Sequence, residues 1–145
     1  MSNTQRNRGF SLVELLIVVL LMSLIMGIGV PGYRQYTQRA ARADATSALL
    51  RLAAAQERWY LQNGTYATNA QLAAAPPAGL GFTGGKTERG YYDLQITAAN
   101  ALAFTIQATP AAGQPQTTDA DCQAFGMDER GQKTSGPQGI AVCWR

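Results

Sequence analysis

The 145-residue chain contains no histidine. That removes the commonest general base, the commonest metal ligand and the one side chain whose ordinary titration falls at physiological pH. Cysteine is almost absent too. Cys122 and Cys143 are the only two, too few for a structural zinc site. Charged residues are sparse at 14%, and once Arg6 and Arg8 of the first nine residues are set aside, ten basic side chains face nine acidic ones. A net charge so near zero does not by itself point to a nucleic-acid partner. No nucleophile and base can be paired by spacing, so the sequence implies no catalytic mechanism and no cofactor.

What charge there is avoids one stretch. Residues 10–30 form a twenty-one-residue apolar run interrupted by a single acid, Glu14. At 1.5 Å per helical residue the run is about 31 Å long, close to a bilayer hydrocarbon core of about 30 Å. A secretory signal would have a shorter apolar core followed by a small-x-small cleavage site, and none follows here. A plain membrane anchor accounts for the run but not for Glu14, because an acid at the centre of such a helix costs roughly 2.5–3.5 kcal/mol unless something neutralises it. A free amine at Phe10, created by a cut after Gly9, would lie one helical turn away. Arginines flank both ends of the run, Arg6 and Arg8 on one side and Arg34, Arg39 and Arg42 on the other, so charge bias does not orient it.

Gly27, Gly29, Pro31 and Gly32 crowd the end of the run. Proline cannot donate to the carbonyl four residues back, which predicts either a helix end or a soft point in a longer helix. The next stretch favours the soft point. Residues 33–63 lack glycine and proline. Tyr36, Ala40, Ala43, Ser47, Leu50, Ala54 and Leu61 recur at helical steps on one side, and Leu49, Leu52, Gln56, Trp59 and Tyr60 mark a bulkier neighbouring side. Arginines 34, 39, 42, 51 and 58 fall largely off both. Asn63-Gly64 reads as a glycine stop, a stronger account of Asn63-Gly64-Thr65 than a glycosylation sequon.

Residues 65–90 are punctuated by glycine and Pro76-Pro77 and read as a loop. Residues 91–97 and 101–109 alternate apolar and polar, as a hairpin does. A second short hairpin, 122–127 and 132–134, turns at 128–131. The order predicts an α+β arrangement in which a small antiparallel sheet packs on the amphipathic half of a long helix. Behind an apolar segment, Cys122 and Cys143 read as one disulfide in an oxidising compartment, with a pair of buried thiols as the alternative. Gly84-Gly85-Lys86-Thr87 lacks the first glycine of a phosphate-binding loop, since Leu80 stands there. Asp119, Asp121, Asp128 and Glu129 fit no calcium loop and read as solvated surface acids.

The string RGFSLVELLIVV, residues 8–19, resembles the class III signal and N-terminal methylation motif of type IV pilins. RADATSALLRLAAAQERWYLQNGTYA, YYDLQITAANALAFTIQATP and the terminal CWR resemble PilE-type minor pilins. The resemblance implies a leader at 1–9, cut between Gly9 and Phe10 by a prepilin peptidase, with the new amine methylated. It implies a membrane and filament-core helix at 10–30, an amphipathic helix at 31–63, and a head completed by loop, sheet and disulfide-bounded region at 64–145. Glu14 would pair with the N-terminal amine of a neighbouring subunit, and Gly27, Gly29 and Pro31 would form the soft point. Partners would be other pilin subunits, the inner-membrane assembly platform and, before assembly, membrane lipid. The head would lie in the periplasm first and on an extracellular pilus afterwards. Two alternatives stay open, a type II secretion pseudopilin and a DNA-receptor pilin. For the second, Lys86, Arg89, Arg130, Lys133 and Arg145 are the candidate contacts, provided the fold brings them together.

Overall fold

The computed structural model describes residues 10–145, with the side chains at 28–32 and 34 excepted. Gly9, and with it the expected leader, lies outside the described residues. The chain divides into two compact units, one ending at Tyr36 and one comprising Thr37–Arg145.

The first helix, α1, runs Leu12–Asn63. It opens with the Leu15 amide donating to the Ser11 carbonyl at 3.2 Å. Glu14 sits in the first turn, where the helix macrodipole favours negative charge. The helical assignment is continuous past Pro31, so this position does not end the helix. In the first unit the large apolar side chains of 10–26 are all substantially exposed, from 43% at Val18 to 79% at Phe10. Among the described residues no helix is long and apolar enough to cross a membrane; the span expected at 10–30 runs into the side chains at 28–30, which lie outside those described.

In the second unit α1 packs on a four-stranded antiparallel sheet. Its strands are β1 (Tyr92–Ala99), β2 (Phe104–Pro110), β3 (Cys122–Asp128) and β4 (Lys133–Pro137), in spatial order β1-β2-β3-β4. Pairs such as Ile96↔Ile106 and Ile106↔Met127 set the register. Alternation then aims Tyr92, Leu94, Ile96, Phe104, Ile106, Ala108, Phe125 and Met127 at the helix, where all are buried. The helix answers with Leu49 and Leu52 and with buried alanines at 41, 45, 48 and 55, small enough for close approach of helix and sheet. The bulkier of the two expected helical sides therefore faces the core. The other does not: Ala40, Ala43, Ser47, Leu50, Ala54 and Leu61 are all exposed, because the sheet covers only one side of the helix.

Helix α1 stops at Gly64, whose φ of +68° a side chain would resist. Its amide donates to the Tyr60 carbonyl at 2.8 Å. Buried Gln56 then fixes the returning chain, donating to the Ala67 carbonyl at 2.9 Å and accepting from the Ala67 amide at 2.8 Å. The 64–91 segment is a loop with two short 3₁₀ turns, Asn69–Gln71 and Thr83–Gly85. The hairpins fall where alternation put them, and the expected turn at 128–131 closes with the Gly131 amide on the Asp128 carbonyl at 3.0 Å. A four-residue helix, α2 (Ile140–Cys143), was not expected. The Cys122–Cys143 disulfide, with α-carbons 5.7 Å apart, ties it to the start of β3.

Candidate functional site

At the N-terminal end Phe10 and Glu14 are both exposed, one turn apart. Gly27 lies open, with nothing near the position a Cβ would take. Gly29 and Pro31 are helical in backbone, and the Pro31 side chain lies outside those described.

The five candidate cations of the second unit do not form one stripe. Lys86 bridges to Asp93 of β1 and forms an ion pair with it, and Arg89 follows in the same loop, exposed. Arg130 sits in the β3–β4 turn beside Glu129, 3.2 Å away. Lys133, in β4, lies 4.9 Å over the Trp144 ring, and Arg145 follows that ring in sequence. Trp144 is itself held by its indole N–H on the Thr134 carbonyl at 2.9 Å. Two of the five thus belong to one edge of the sheet and three to the opposite edge. Three interstrand spacings, about 14 Å, separate those edges.

The first group gains members that the candidate set from sequence did not include. Arg51 and Arg58 project from the same face of α1 as Ala54, at i, i+3 and i+7. Across from them runs the 80–88 segment, and between the two lies a recess of about 690 Å³ lined by Arg51, Arg58, Lys86, Glu88 and Phe82. Arg58 also lines a smaller recess of about 200 Å³, formed with Trp59, Pro76 and Pro77. Gly79 forms part of that wall, and its packing leaves no room for a side chain: a Cβ would stand 2.3 Å from the Gln71 carbonyl oxygen. Arg51 pairs with Glu88, whereas exposed Arg58 has no ion-pair partner among the described residues. The spacing of Arg51 and Arg58 was legible in the sequence. Their meeting with the 80–88 loop was not, because glycine-rich loop geometry has no periodic signature.

A second polar cluster is buried. Arg42 donates Nε to Asp119 Oδ2 and Nη2 to Asp119 Oδ1, both at 2.7 Å, with Asp121 3.6 Å from Nη2. The hydrogen bond to Asp119 raises the Arg42 pKa above its ordinary value, against the opposing effect of burial. Asp119 is therefore not a solvated surface acid: its side chain is 2% exposed, and it folds inward because Arg42 neutralises it. Nearby Tyr92 is fully buried, and desolvation pushes its phenol well up from the ordinary value. The Tyr92 hydroxyl, Asp44 Oδ2 and Gln116 Oε1 are buried without hydrogen-bond partners. Among the described residues no three His, Cys, Asp or Glu side chains gather to hold a metal.

Comparison with known proteins supplies two matches along the chain. Residues 4–30 match the prokaryotic N-terminal methylation motif, which associates the chain with the cell envelope and its pili. Residues 31–126 match the family described as type IV minor pilin ComP, DNA uptake sequence receptor. Among curated relatives, the type IV major pilin protein PilE1 of Neisseria gonorrhoeae is 28% identical over 95 residues, 66% of this chain and 41% of that protein. The type II secretion system core protein G of Klebsiella pneumoniae is 32% identical over 78 residues, 51% of this chain and 56% of that one. The chain spans less than half the length of several curated type IV major pilins that it matches. Among solved structures, the non-core minor pilin PilV of Neisseria meningitidis is similar at 21% identity and a TM-score of 0.48, over 70% of this chain and 88% of that one. With two thirds of its length, from the residue after Val30 to Gly126, under the family model, the chain belongs to the type IV minor pilin ComP, DNA uptake sequence receptor, family.

Proposed function

We propose that this chain is a minor subunit of a type IV pilus, carried into the filament by its N-terminal helix and presenting its C-terminal unit outside. The observation that carries this reading is the succession on one chain of a methylation motif at 4–30 and a minor-pilin family match at 31–126. The physics of the first unit supports it. A helix whose leucines, isoleucines and valines are exposed all round needs lipid or other helices about it. Before assembly that surrounding is the inner membrane, with the head in the periplasm. Afterwards it is the apolar core of the filament, built with other pilin subunits on the inner-membrane assembly platform. A prepilin peptidase cuts between Gly9 and Phe10, and the new amine is methylated. Glu14 then meets a neighbouring subunit's amine. In a low dielectric an unpaired carboxylate is costly, so the pairing fixes register between subunits. Gly27, Gly29 and Pro31 act as the soft point of the helix.

A second reading concerns what the exposed unit does. The family's description names a DNA uptake sequence receptor, and the recess that gathers Arg51, Arg58 and Lys86 lies within the matched residues. We take DNA as the ligand of the head. Fluorescence anisotropy of labelled DNA with the detergent-solubilised full chain, over a range of salt, tests it. Binding that weakens with salt supports the reading, and no binding at low salt removes it. The relation to a secretion core protein keeps the pseudopilin alternative in view, and recovery of the chain in sheared pili separates the two.

A further inference from the structure

The fold treats the six tyrosines of the chain in two ways. Tyr92 is buried, Tyr66 and Tyr91 are half-buried against the core, and Tyr60 stacks on Tyr66 with ring centroids 4.7 Å apart. Tyr33 and Tyr36, the two in the first unit, are 70% and 72% exposed. The protein covers less than a third of either. Three residues apart on α1, they are neighbours on one side of the helix. A phenol is apolar over its ring and polar at its tip, so a bare pair suits the layer between water and hydrocarbon better than either phase. Position along the helix agrees. The apolar run ends at Val30. Tyr33 lies about 4.5 Å and Tyr36 about 9 Å beyond it, and the headgroup layer on each side of a bilayer is about 5–8 Å deep. Helical side chains lean toward the N-terminus, here the membrane side. The Tyr36 ring therefore covers the turn before its own α-carbon and reaches back into that layer.

We propose that Tyr33 and Tyr36 bind the phospholipid headgroup layer on the periplasmic side of the inner membrane before assembly, and that this anchorage sets the depth of α1. The proposal rests on the pilus reading above and names the lipid surface that this stretch of helix takes. The hydroxyls donate to phosphate or ester oxygens, and the rings lie over the upper ends of the acyl chains. The apolar run cannot set depth alone, because its aliphatic side chains are equally suited to every level of the hydrocarbon; interfacial side chains fix the position of a spanning helix. The flanking arginines fix it loosely, since their long stems keep the charge in water over several ångströms of travel. Depth matters at the other end. Twenty-three residue steps separate Tyr33 from Phe10, about 35 Å along the helix, against a hydrocarbon core of about 30 Å. With Tyr33 held at one face, the Gly9–Phe10 bond stands at the opposite, cytoplasmic face, within reach of a peptidase.

The test uses the full chain in two measurements. First, Tyr33→Trp is reconstituted into phosphatidylethanolamine–phosphatidylglycerol vesicles whose acyl chains are brominated near the carbonyl end or near the methyl end. The emission it adds to that of Trp59 and Trp144 should be quenched at least about twofold more by the shallow label than by the deep one. Equal or stronger quenching by the deep label, or none by either, overturns the inference. Second, pulse–chase labelling in cells follows removal of residues 1–9. Tyr33→Leu with Tyr36→Leu keeps apolar bulk but loses the polar tip, and should lengthen the half-time of removal about threefold or more. Tyr33→Trp with Tyr36→Trp should restore the wild-type rate. A leucine variant processed at the wild-type rate, yet missing from sheared pili, would give this face to a neighbouring subunit rather than to lipid and would overturn the inference. If the leucine variant is not recovered from membranes, the vesicle measurement decides. Wild type that is inserted, cleaved and found in pili, with Tyr33→Trp unquenched, overturns this inference and leaves the pilus reading standing. Absence of the wild-type chain from both membranes and pili removes both.

Discussion

The Arg42 guanidinium grips the Asp119 carboxylate with two parallel hydrogen bonds of 2.7 Å, across 77 residues of sequence and with almost no access to water. This is the one long-range charge pair in the second unit whose two ends are both buried, among the described residues. It fastens α1 to the loop that leads into β3 and the disulfide-bounded tail. Exposed pairs such as Arg51–Glu88 contribute little. The buried pair behaves differently, because removing one partner strands the other.

Asp119→Ala should therefore destabilise the protein by up to about 3–5 kcal/mol, with Arg42 left charged in the interior beside only the more distant and exposed Asp121. Replacing both by apolar residues of similar volume, Arg42→Met with Asp119→Leu, should cost much less than the single change. Urea unfolding followed by circular dichroism reads both. A single variant as stable as wild type would contradict the account of Asp119 as Arg42's anchor.

Tyr92 offers a sharper check because its ring and its hydroxyl make opposite contributions. The ring packs edge-on to Phe125, with centroids 5.6 Å apart, while the buried hydroxyl has no partner. Tyr92→Phe keeps the first and removes the second. It should leave stability unchanged or raise it by about 1 kcal/mol. The phenol pKa is raised in the fold by desolvation, so the stability that it contributes is fully present below its unfolded value of about 10 and is lost as pH rises above it. Unfolding free energy should fall above about pH 10 by up to about 1.4 kcal/mol per pH unit for this group. Tyr92→Phe should flatten that decline, as urea melts at pH 9, 10 and 11 would register.

Reduction of Cys122–Cys143 should cost about 3 kcal/mol in the chain-entropy model, since the bond closes a segment whose ends are 21 residues apart. The loss should fall on the tail first, for α2 and Trp144 are held to β3 and β4 by that bond, by the indole hydrogen bond to Thr134 and by the contact of Trp144 with Phe125. Trp144 fluorescence, in a Trp59→Phe background, should shift red before the far-ultraviolet signal melts. A coincident loss of both signals would show that the tail is not a separately released element.

Sequence periodicity made the fold readable wherever one face of an element is buried. The strand pattern of Tyr92, Leu94 and Ile96 and the Leu49, Leu52, Gln56 side of the helix both follow that rule. The pattern misled where small residues recur without being covered. Ala40, Ala43, Ser47, Leu50 and Ala54 have the helical spacing of a core face and lie exposed, because alanine and serine satisfy the spacing without requiring burial. Arg42 and Asp119 were missed for the opposite reason: charges that neutralise each other look like surface residues until the fold joins them. The cationic recess was half legible, in Arg51 and Arg58 on one helical face. Lys86 reached it through a loop whose course is fixed by Gln56 on Ala67, by the close packing of Gly79 and by Asn69, whose Oδ1 accepts from the Ile96 amide at 2.9 Å, rather than by any repeat.

At the amino end, the intact mass of the membrane-extracted protein should correspond to loss of residues 1–9 with one added methyl group. A mature chain that retains those residues, or that starts beyond Val30, would contradict the assignment of the Gly9–Phe10 junction.

The central claim is that Glu14 carries the chain into a filament. Removing a carboxylate from an apolar helix eases membrane insertion, and the scissile bond is set mainly by Gly9, so Glu14→Ala should still be inserted and cleaved. A neighbouring amine then loses its partner in a low-dielectric bundle, at a cost of about 3–5 kcal/mol, which lowers incorporation by orders of magnitude. Pili sheared from cells expressing wild type or Glu14→Ala, blotted beside the membrane fractions, measure this directly. The account predicts equal protein in the two membrane fractions and near-absence of the variant from the sheared filaments. Equal amounts of variant and wild type in the filaments would contradict it.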